Sequence, residues 1–354
     1  MCVDENWPDC PTSGDQRLYW PTPFANSVAG VDTDVLKKAV LLACRAPSVH
    51  NSQPWHWVAD KDVVHLLLDR HRTLPATDPP GREAIMSCGA VLDHFRAAMT
   101  AAQWQSRIDR CPNPNDPDHL ASVEFSPIDC VTEAQRSRAR AILHRRTDRL
   151  PFESPTCWEL FEPVLRSTID EDTVTLHVLS DDLRPELIEA SQLSEALRRD
   201  DSSYDAELHW WTSPFALAEG VPPSALASDA ERLRVGVGRD FPVASRQDRR
   251  AGIDADCSKI LVLSTSEDSR LDVLRCGEAL STVLLECTMY GMATCTLTHL
   301  IESSESRDIV RDLIGYLGEP QVLVRVGITP PLDGVAAPTP RRPLDHVLER
   351  FTHD

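Results

Sequence analysis

The sequence predicts an α+β protein of two related lobes, with antiparallel or mixed sheets flanked by helices. Helical and strand-like segments follow one another along most of its 354 residues. Two long helical stretches also share a pattern at an offset of 188 residues, in which Arg82, Cys88, Gly89 and Leu92 recur as Arg270, Cys276, Gly277 and Leu280. A β-rich segment follows each stretch. This repeat is typical of an ancient duplication, although four matches at common residue types leave coincidence open.

The first half is predicted to contain two helices and three strands. In order, they are a helix over 34–46, strands over 55–59 and 63–68, a helix over 83–102 and a strand over 123–125. Apolar residues recur every three or four positions in the helices and alternate in the strands. Pro47 disfavours continuation of the first helix, which therefore delivers the loop 48–53.

The second half has a similar alternation with one long interruption. Its predicted elements are helices over 132–144, 158–167, 183–199 and 304–313, a helix from Arg270, and strands over 174–179, 259–264, 293–300 and 321–328. Gly315 is placed to cap the last of these helices. Residues 200–256 fit neither repeat and are interpreted as an insertion lying across the surface. We expect an irregular leader at 1–30, a first lobe at 31–130 and a second lobe at 131–354.

Composition excludes several classes of function. A net charge of −19 disfavours nucleic acid and anionic membranes, which both require a broad basic surface. No run approaches the roughly 18 apolar residues of a membrane span, and residues 1–30 lack the features of a signal peptide. Eleven scattered cysteines without a Cys-x-x-Cys pair favour reduced thiols. We therefore expect a cytoplasmic protein.

The loop between Pro47 and Trp55 is rich in small polar side chains. Its sequence, Pro-Ser-Val-His-Asn-Ser-Gln-Pro-Trp, includes two amides, Asn51 and Gln53, that can both donate to and accept from the edge of a polar ring. The plainer interpretation is a helix stop followed by a turn, in which these amides bond local backbone. Spacing alone leaves both interpretations open.

Two arginine clusters concentrate positive charge in this acidic chain. The first contains Arg145, Arg146, Thr147 and Arg149, and the second contains Arg341 and Arg342 between two prolines. Guanidinium groups bind phosphate with a fork geometry that lysine does not match. The alternative is solvated ion pairs with neighbours such as Asp148 and Asp345. Loop and clusters together suggest a planar polar heterocycle that carries a phosphate.

Other motifs for cofactors or catalysis are absent from the sequence. The pair Gly236 and Gly238 lacks the third glycine of a dinucleotide fingerprint, and there is no phosphate-binding Gly-Lys-Ser/Thr motif, no His-Glu-x-x-His and no Gly-x-Ser-x-Gly. The twelve histidines are dispersed, so their spacing favours no metal site and none is predicted.

In combination, the loop from Pro47 to Trp55 and the two arginine clusters resemble the flavin-dependent nitroreductase superfamily, and most closely the Acg family of nitroreductase-like proteins from mycobacteria. The resemblance runs from about residue 32 to 350. It implies that Arg145, Arg146, Thr147, Arg149, Arg341 and Arg342 hold the phosphate and ribityl chain of FMN. It implies that Ser48, His50, Asn51 and Gln53 approach the isoalloxazine from the opposite half, and that the backbone of Thr296, Leu297 and Thr298 faces the N5 edge.

The chain departs from the common nitroreductase pattern in one respect. Its first half has the loop without a preceding arginine cluster, whereas its second half has the arginines and replaces the loop by residues 167–173. The resemblance therefore implies an internal pseudo-dimer with one FMN per chain. Nitroreductases are usually homodimers, so we expect a monomer, because the usual dimer interface would be internal.

The resemblance implies an oxidoreductase in which NAD(P)H passes hydride through flavin N5 to a nitroaromatic or quinone acceptor. The flavin would carry the chemistry, so no catalytic side chain is predicted. Two alternatives remain open. Tyr204, Trp210 and Trp211 in the 200–256 insertion could form a lid that makes the protein an FMN store without turnover. The fold could also be a colourless interaction module.

Overall fold

The computed structural model describes residues 30–60, 63–213, 219–245, 247–330 and 338–350. The predicted leader lies outside these ranges, apart from Gly30. The protein has the mixed α+β architecture that the sequence predicts. No helix in the described part of the chain is both long and apolar enough to span a membrane. The nine cysteines that the structure describes are all free thiols.

The first lobe consists of two helices and four strands. They are α1 (Thr33–Ala43), β1 (Trp55–Asp60), β2 (Val63–Leu68), α2 (Arg82–Ala101), β3 (Trp104–Arg110) and β4 (His119–Pro127). The Asp32 carboxylate caps α1 by accepting from the Asp34 N–H at 2.6 Å. The helix ends three residues before the predicted end. Strand β3 was not predicted from the sequence.

The second lobe is larger and contains the insertion. Its elements are α3 (Glu133–His144), α4 (Trp158–Ser167), β5 (Thr175–Leu179), α5 (Arg184–Arg198), α6 (Ser202–Trp211), α7 (Asp229–Val235), β6 (Lys259–Thr265), α8 (Arg270–Met289), β7 (Ala293–Leu297), α9 (Ser304–Leu313) and β8 (Glu319–Gly327). Capping boxes start α3 at Thr132 and α8 at Ser269, so both starts are encoded locally. Gly315 follows α9 with φ of 67°, as expected for a C-terminal cap.

The two sheets have the same strand order. The first sheet runs β3-β4-β2-β1 and the second runs β7-β8-β6-β5, and every pairing within these sets is antiparallel. In each lobe the long helix, α2 or α8, connects the second strand to the third. A short last strand, β9 (Leu348–Arg350), pairs in parallel with β1 at the edge of the first sheet. Residues 338–350, which we call the C-terminal arm, thus return to the first lobe. The predicted boundaries of 31–130 and 131–354 do not include this connection.

Helices α2 and α8 cross at two glycines in the centre of the molecule. A Cβ atom at Gly89 would lie 2.1 Å from the carbonyl oxygen of Leu274 and 2.9 Å from the Cα of Gly277. A Cβ atom at Gly277 would lie 2.1 Å from the oxygen of Met86 and 2.9 Å from the Cα of Gly89. Gly89 and Gly277, which are 188 residues apart in the sequence, therefore make matching contacts with the opposite helix. Only glycine allows the two backbones to approach so closely.

A buried carboxylate joins three helices beside this crossing. Asp93 on α2 is fully buried and accepts hydrogen bonds from Arg96, from Arg138 on α3 at 3.0 Å and from Ser281 on α8 at 2.6 Å. Burial alone would raise the pKa of Asp93, but Arg138 and Arg96 lower it below the usual value. The ion pairs thus hold a charged group inside the core that unites both lobes.

Candidate functional site

A cleft between the lobes brings together the motifs singled out in the sequence. We call it the main cleft; it contains about 1160 Å³ of space between protein atoms, including its open mouth. Three parts of the chain supply most of its lining: Pro47 to His50 with one face of α2, Thr147 and Arg149 with the end of β7, and the inserted segment 226–244. Leu280 on α8 and Arg325 on β8 complete it. A cleft of this size, walled by two lobes, is typical of a site for a small molecule or cofactor.

The 48–53 loop forms one wall of the main cleft in an unusual backbone conformation. His50, Asn51 and Gln53 have φ values of 48°, 58° and 53°, in the left-handed region that non-glycine residues seldom adopt. The Ser48 hydroxyl accepts the Gln53 N–H at 3.0 Å and closes the loop. Three such residues in four positions indicate strain that the surrounding structure maintains, as is common at binding sites.

The polar side chains of this loop separate into different surroundings. Ser48 and His50 line the main cleft. The amide nitrogen of Asn51 donates to the carbonyls of Gly220 and Pro340, both at 3.1 Å, so Asn51 holds the insertion and the C-terminal arm. Gln53 is fully buried and lines neither this cleft nor the pocket described next; it accepts the Arg342 N–H at 2.9 Å.

A second, smaller cavity adjoins the main cleft and shares Pro47, Ser48, Thr147 and Arg149 with it. We call it the arginine pocket, because Arg45, Arg145, Arg146 and Arg341 also line it. All four guanidinium groups donate to backbone carbonyls, among them Arg341 Nε to Cys44 at 2.8 Å and Arg146 Nη1 to Leu143 at 2.7 Å. None of the four forms an ion pair with a carboxylate of the described residues. Positive charge therefore accumulates here without neutralisation.

Burial makes this accumulated charge energetically unfavourable. Burial, with the neighbouring Arg146 and Arg45, lowers the pKa of Arg145 to about 9. Burial also lowers the pKa of Arg341, and Arg45 and Arg145 add to the effect. The Nε atom of Arg145 has no hydrogen-bond partner among the described residues. A buried cationic pocket with an unsatisfied donor has the charge and the hydrogen-bonding capacity to hold an anion.

The two remaining arginines of the clusters occupy different positions. Arg149 lines both cavities, and its guanidinium carbon lies 5.4 Å from the ring centre of Phe241. Arg342 lines neither: it donates to the carbonyls of Gln53 and Trp55 and forms an ion pair with Asp69 at 3.5 Å. The structure therefore places Arg342 behind the 48–53 loop, where it supports the loop, and not at the arginine pocket.

The end of β7 forms the wall opposite the loop. Thr296, Leu297 and Thr298 line the main cleft, as do Cys295 and His299. The arginine segment lies alongside this strand, because Thr147 forms a β-bridge with Thr294 and the Asp148 N–H donates to the Thr294 carbonyl at 2.9 Å. The hydroxyl of Thr298 accepts from Arg239 at 3.1 Å.

The insertion covers the main cleft, but with residues other than the three aromatic lid candidates. Tyr204 and Trp211 are buried away from both cavities, and Trp210 is 66% exposed to solvent. The residues that reach the main cleft lie further along, from Leu226 to Ala244, and include Phe241. Arg72 forms an ion pair with Glu219, just before this covering segment. The three aromatic lid candidates therefore do not line the main cleft, since aromatic content alone does not indicate which face a helix buries.

Sequence reasoning missed several charged residues of the site. Arg45 directly precedes the loop at the end of α1, and its proximity to Pro47 was the available signal. Glu83 and Arg239 line the main cleft, and Arg239 pairs with Glu302 behind its wall. These three come from distant parts of the chain and share no local motif. Within the described residues, no group of three or more potential metal ligands is arranged around a common point.

His50 faces the main cleft as a neutral ring. Burial lowers the pKa of His50 well below its usual value, and the nearby Arg239 and Arg149 lower it further. Its Nε2 atom has no hydrogen-bond partner among the described residues. The His50 ring packs edge to face against the Phe241 ring, with 5.9 Å between the two ring centres. A neutral imidazole with a free nitrogen can donate to or accept from a ligand in the cleft.

Comparison with known proteins gives close relatives. No protein-family model matches the chain. It is 70% identical over 319 residues to the uncharacterized protein Rv3127 of Mycobacterium tuberculosis, covering 89% of this chain and 93% of that protein. It is 58% identical over 318 residues to a protein of the same organism named "Putative NAD(P)H nitroreductase acg", covering 90% of this chain and 96% of that protein. A solved structure, the FMN-dependent nitroreductase NfnB from Mycobacterium smegmatis in complex with NADPH, covers 62% of this chain and is itself covered completely, with 17% identity and a TM-score of 0.39.

Proposed function

Because the chain belongs to the Acg family of nitroreductases, we propose that it is an FMN-dependent oxidoreductase. It would take reducing equivalents from NAD(P)H and pass them as hydride, through flavin N5, to a nitroaromatic or quinone acceptor. The main cleft would hold the flavin ring, and the arginine pocket would hold the phosphate.

The arginine pocket is the observation that carries this proposal. A phosphate monoester bears a charge of about −1.5 to −2 at neutral pH and three acceptor oxygens. Arg45, Arg145, Arg146 and Arg341 supply uncompensated positive charge at the edge of a cleft large enough for a ring system. The free Nε donor of Arg145 would be satisfied by such a group. The residues present therefore fit FMN, with Arg45 added to the predicted set and Arg342 supporting the loop.

The wall residues have the chemistry to orient a flavin ring. When bound, FMN would supply the hydride transfer itself, and the protein would supply position and electrostatics. Ser48 and neutral His50 would meet the ring from the first lobe, and the backbone at Thr296 to Thr298 would face its N5 edge from the second. Gln53 would act indirectly, since it fixes the C-terminal arm. Asn51 also holds that arm, but it lines the arginine pocket and could contact a ligand there directly.

We further propose that the chain is an internal pseudo-dimer and works as a monomer. The identical strand orders, the reciprocal glycine contact of α2 and α8, and the four repeated positions support this. A second pair of contacts has the same reciprocity: Arg82 at the start of α2 donates to Gln321 on β8, and Arg270 at the start of α8 donates to Pro117 just before β4. In both pairs of contacts, each half of the chain contacts the other half through corresponding residues. An isologous interface between two copies of a protein has this same symmetry.

Storage of FMN without turnover is the second candidate, and the covering segment favours it. Residues 226–244 line the main cleft, and contacts to Asn51 and Arg72 hold the chain just before this segment, at Gly220 and Glu219. A nicotinamide ring would need this cover to open before it could stack on the flavin.

One anaerobic experiment separates the candidates. Purified protein with the visible spectrum of a bound flavin is mixed with NADPH or NADH, and absorbance is followed. Bleaching within seconds followed by recovery on addition of a quinone is the result expected of the oxidoreductase. Flavin that dithionite bleaches but neither nicotinamide reduces would refute turnover and favour storage. A colourless protein that does not bind added FMN would refute both.

A further inference from the structure

The carboxyl group of Glu83 lies in the wall between the main cleft and another cavity. Glu83 is on the first turn of α2 and is 2% exposed. It lines the main cleft and also a solvent-open cavity on the other side, which we call the outer cavity. Asp78, Arg82, Glu302 and Arg307 are among the charged residues that line the outer cavity. Glu83 is thus in contact with both compartments.

The surroundings of Glu83 leave no compensation for a negative charge. Neither of its carboxylate oxygens receives a hydrogen bond from a donor of the described residues. Arg239, the cation on this side of the cleft, is already paired with Glu302 through both of its terminal nitrogens. An ionised Glu83 would therefore be buried beside a second carboxylate. A protonated Glu83 can instead donate to Glu302, whose charge Arg239 already balances.

The balance of burial and charge around Glu83 favours this distribution of protons. Burial raises the pKa of Glu83 well above its usual value, and Glu302 and Asp78 raise it further, while Arg239 and Arg82 oppose this. Burial raises the pKa of Glu302, but Arg239 and the hydrogen bond with Glu83 lower it to about 2.

The remaining titratable groups nearby do not supply a competing proton at neutral pH. Burial lowers the pKa of His299 to about 3, with Arg239 adding to the effect, and the pKa of His50 is also low. Burial raises the pKa of Asp78 to about 6, although the Ala84 N–H that donates to it lowers the value. At neutral pH both histidines are neutral and Asp78 is mostly ionised.

We propose that Glu83 is the acid that delivers a proton to the electron acceptor in the main cleft, and that water in the outer cavity restores it. This inference rests on the proposed function. Reduction of a quinone needs one hydride, which carries both electrons, and one proton. As the hydride adds to the acceptor, the O–H bond of Glu83 breaks and a new O–H bond forms on the acceptor oxygen. The Glu83 carboxylate then takes a proton from the outer cavity, so atoms and charge balance.

A first measurement tests the proton on Glu83 without any flavin. Only a protonated carboxyl group shows the carbonyl stretch of a carboxylic acid in the infrared. We expect the wild-type protein minus E83Q difference spectrum at pH 8 to contain one such band, which shifts in deuterium oxide. Absence of this band would show that Glu83 is ionised and would overturn the proposal. The same measurement on E286Q is the control, because Glu286 is a buried carboxylate paired with Arg138 and lines none of the three cavities.

A second measurement tests delivery in the FMN-loaded protein. The flavin is reduced with dithionite, which bypasses NAD(P)H, and its reoxidation by 1,4-benzoquinone is followed. E83Q should bind FMN normally but reoxidise on the order of 100-fold more slowly than wild type, as expected for loss of a general acid. The wild-type rate should fall at high pH, and the E83Q rate should not. Equal rates and pH profiles in both proteins would overturn the proposal. Failure of NAD(P)H to bleach the flavin would refute only the proposed turnover.

Discussion

Replacement of Arg145 by alanine tests whether the arginine pocket is built for an anion. A buried arginine is usually paired with a carboxylate, and removing such an arginine destabilises the fold because the carboxylate stays buried without its partner. Within the part of the chain that the structure describes, Arg145 has no such partner: its terminal nitrogen donates to the Arg45 carbonyl at 3.4 Å, and Arg146 and Arg45 are close enough to lower its pKa. R145A should therefore weaken FMN binding without destabilising the apoprotein. A purely structural arginine would show the opposite pattern.

Both effects have magnitudes that follow from the structure. A charge-assisted hydrogen bond contributes about 1.5–3 kcal/mol, so the dissociation constant for FMN should rise about 10- to 150-fold. In the apoprotein, the fall in the pKa of Arg145 from 12.5 to about 9 corresponds to roughly 5 kcal/mol of unfavourable charging, at about 1.36 kcal/mol per pKa unit. Lost packing of the side chain offsets part of this gain. The apo variant should be at least as stable as wild type.

The sign of the pH dependence gives a further check. The folded state lowers the pKa of Arg145, so the unfolded chain binds its proton more tightly. Stability of the apoprotein should therefore rise as the pH passes about 9, and R145A should lack this rise. FMN affinity is measured by fluorescence titration and stability by urea unfolding. The control is R136A, an exposed arginine on the helix before the cluster. Unchanged affinity, or a loss of more than about 1 kcal/mol of apo stability, would refute the reasoning.

Three further substitutions test the helix crossing, the buried carboxylate and the covering segment. G89A places a Cβ against backbone of the opposite helix and should cost about 3 kcal/mol in urea unfolding, whereas G252A, in open space, should cost little. D93N should cost about 3–5 kcal/mol at pH 7, because its arginine partners would stay buried without a charge partner. Since those arginines keep the pKa of Asp93 low, the difference should begin to shrink as the pH falls below about 4 and should disappear only once the pH passes the lowered pKa. E219Q breaks the ion pair with Arg72 and should speed FMN release about fivefold in a dilution assay.

Each of these three predictions has a clear contrary result. Equal unfolding free energies for the two glycine variants would mean that the helices can separate at no cost. A constant difference between D93N and wild type down to pH 2 would show that charge is not the origin of the effect. An unchanged rate of FMN release in E219Q would show that the segment 226–244 is held by other contacts.

Elements with a clear local period could be predicted from the sequence. The helices over 158–167 and 304–313 have the predicted bounds, because an apolar face, a polar start and a glycine or turn at the end all lie within one short window. Strand β3 was missed because its residues alternate between exposed and half-buried, so only Trp104 and Ile108 suggest an inner face. The parallel pairing of β9 with β1 joins residues almost 300 positions apart, and no local pattern encodes it.

The site could be predicted only as a set of residue types. Arg341 and Arg342 are neighbours in sequence, yet the first lines the arginine pocket and the second supports the loop from behind. Their difference depends on the direction of the C-terminal arm, which long-range contacts determine. In the same way, Arg45 joins the cluster because α1 ends against that arm, where Arg341 Nη2 donates to its carbonyl at 3.1 Å. Charge density in the sequence suggested a phosphate site, and the fold decides which arginines line the pocket.

The proposed duplication raises the question of why one chain should bind one FMN and not two. Ser87 and Ala90 are small residues on α2 that line the main cleft. The residues 188 positions later, on α8, are Arg275 and Glu278. Glu278 is buried and forms a two-point ion pair with Arg110, at 2.6 and 2.8 Å.

Charged, paired side chains thus occupy the position that corresponds to open space in the main cleft. The first-lobe loop also has no arginine cluster before it, so the equivalent of the phosphate pocket is missing as well. Titration of the apoprotein with FMN should therefore saturate at one equivalent per chain, with gel filtration of the loaded protein at the mass of a single chain. Saturation at two equivalents would mean that the equivalent position can open, and that the ion pair of Glu278 with Arg110 does not limit the chain to a single site.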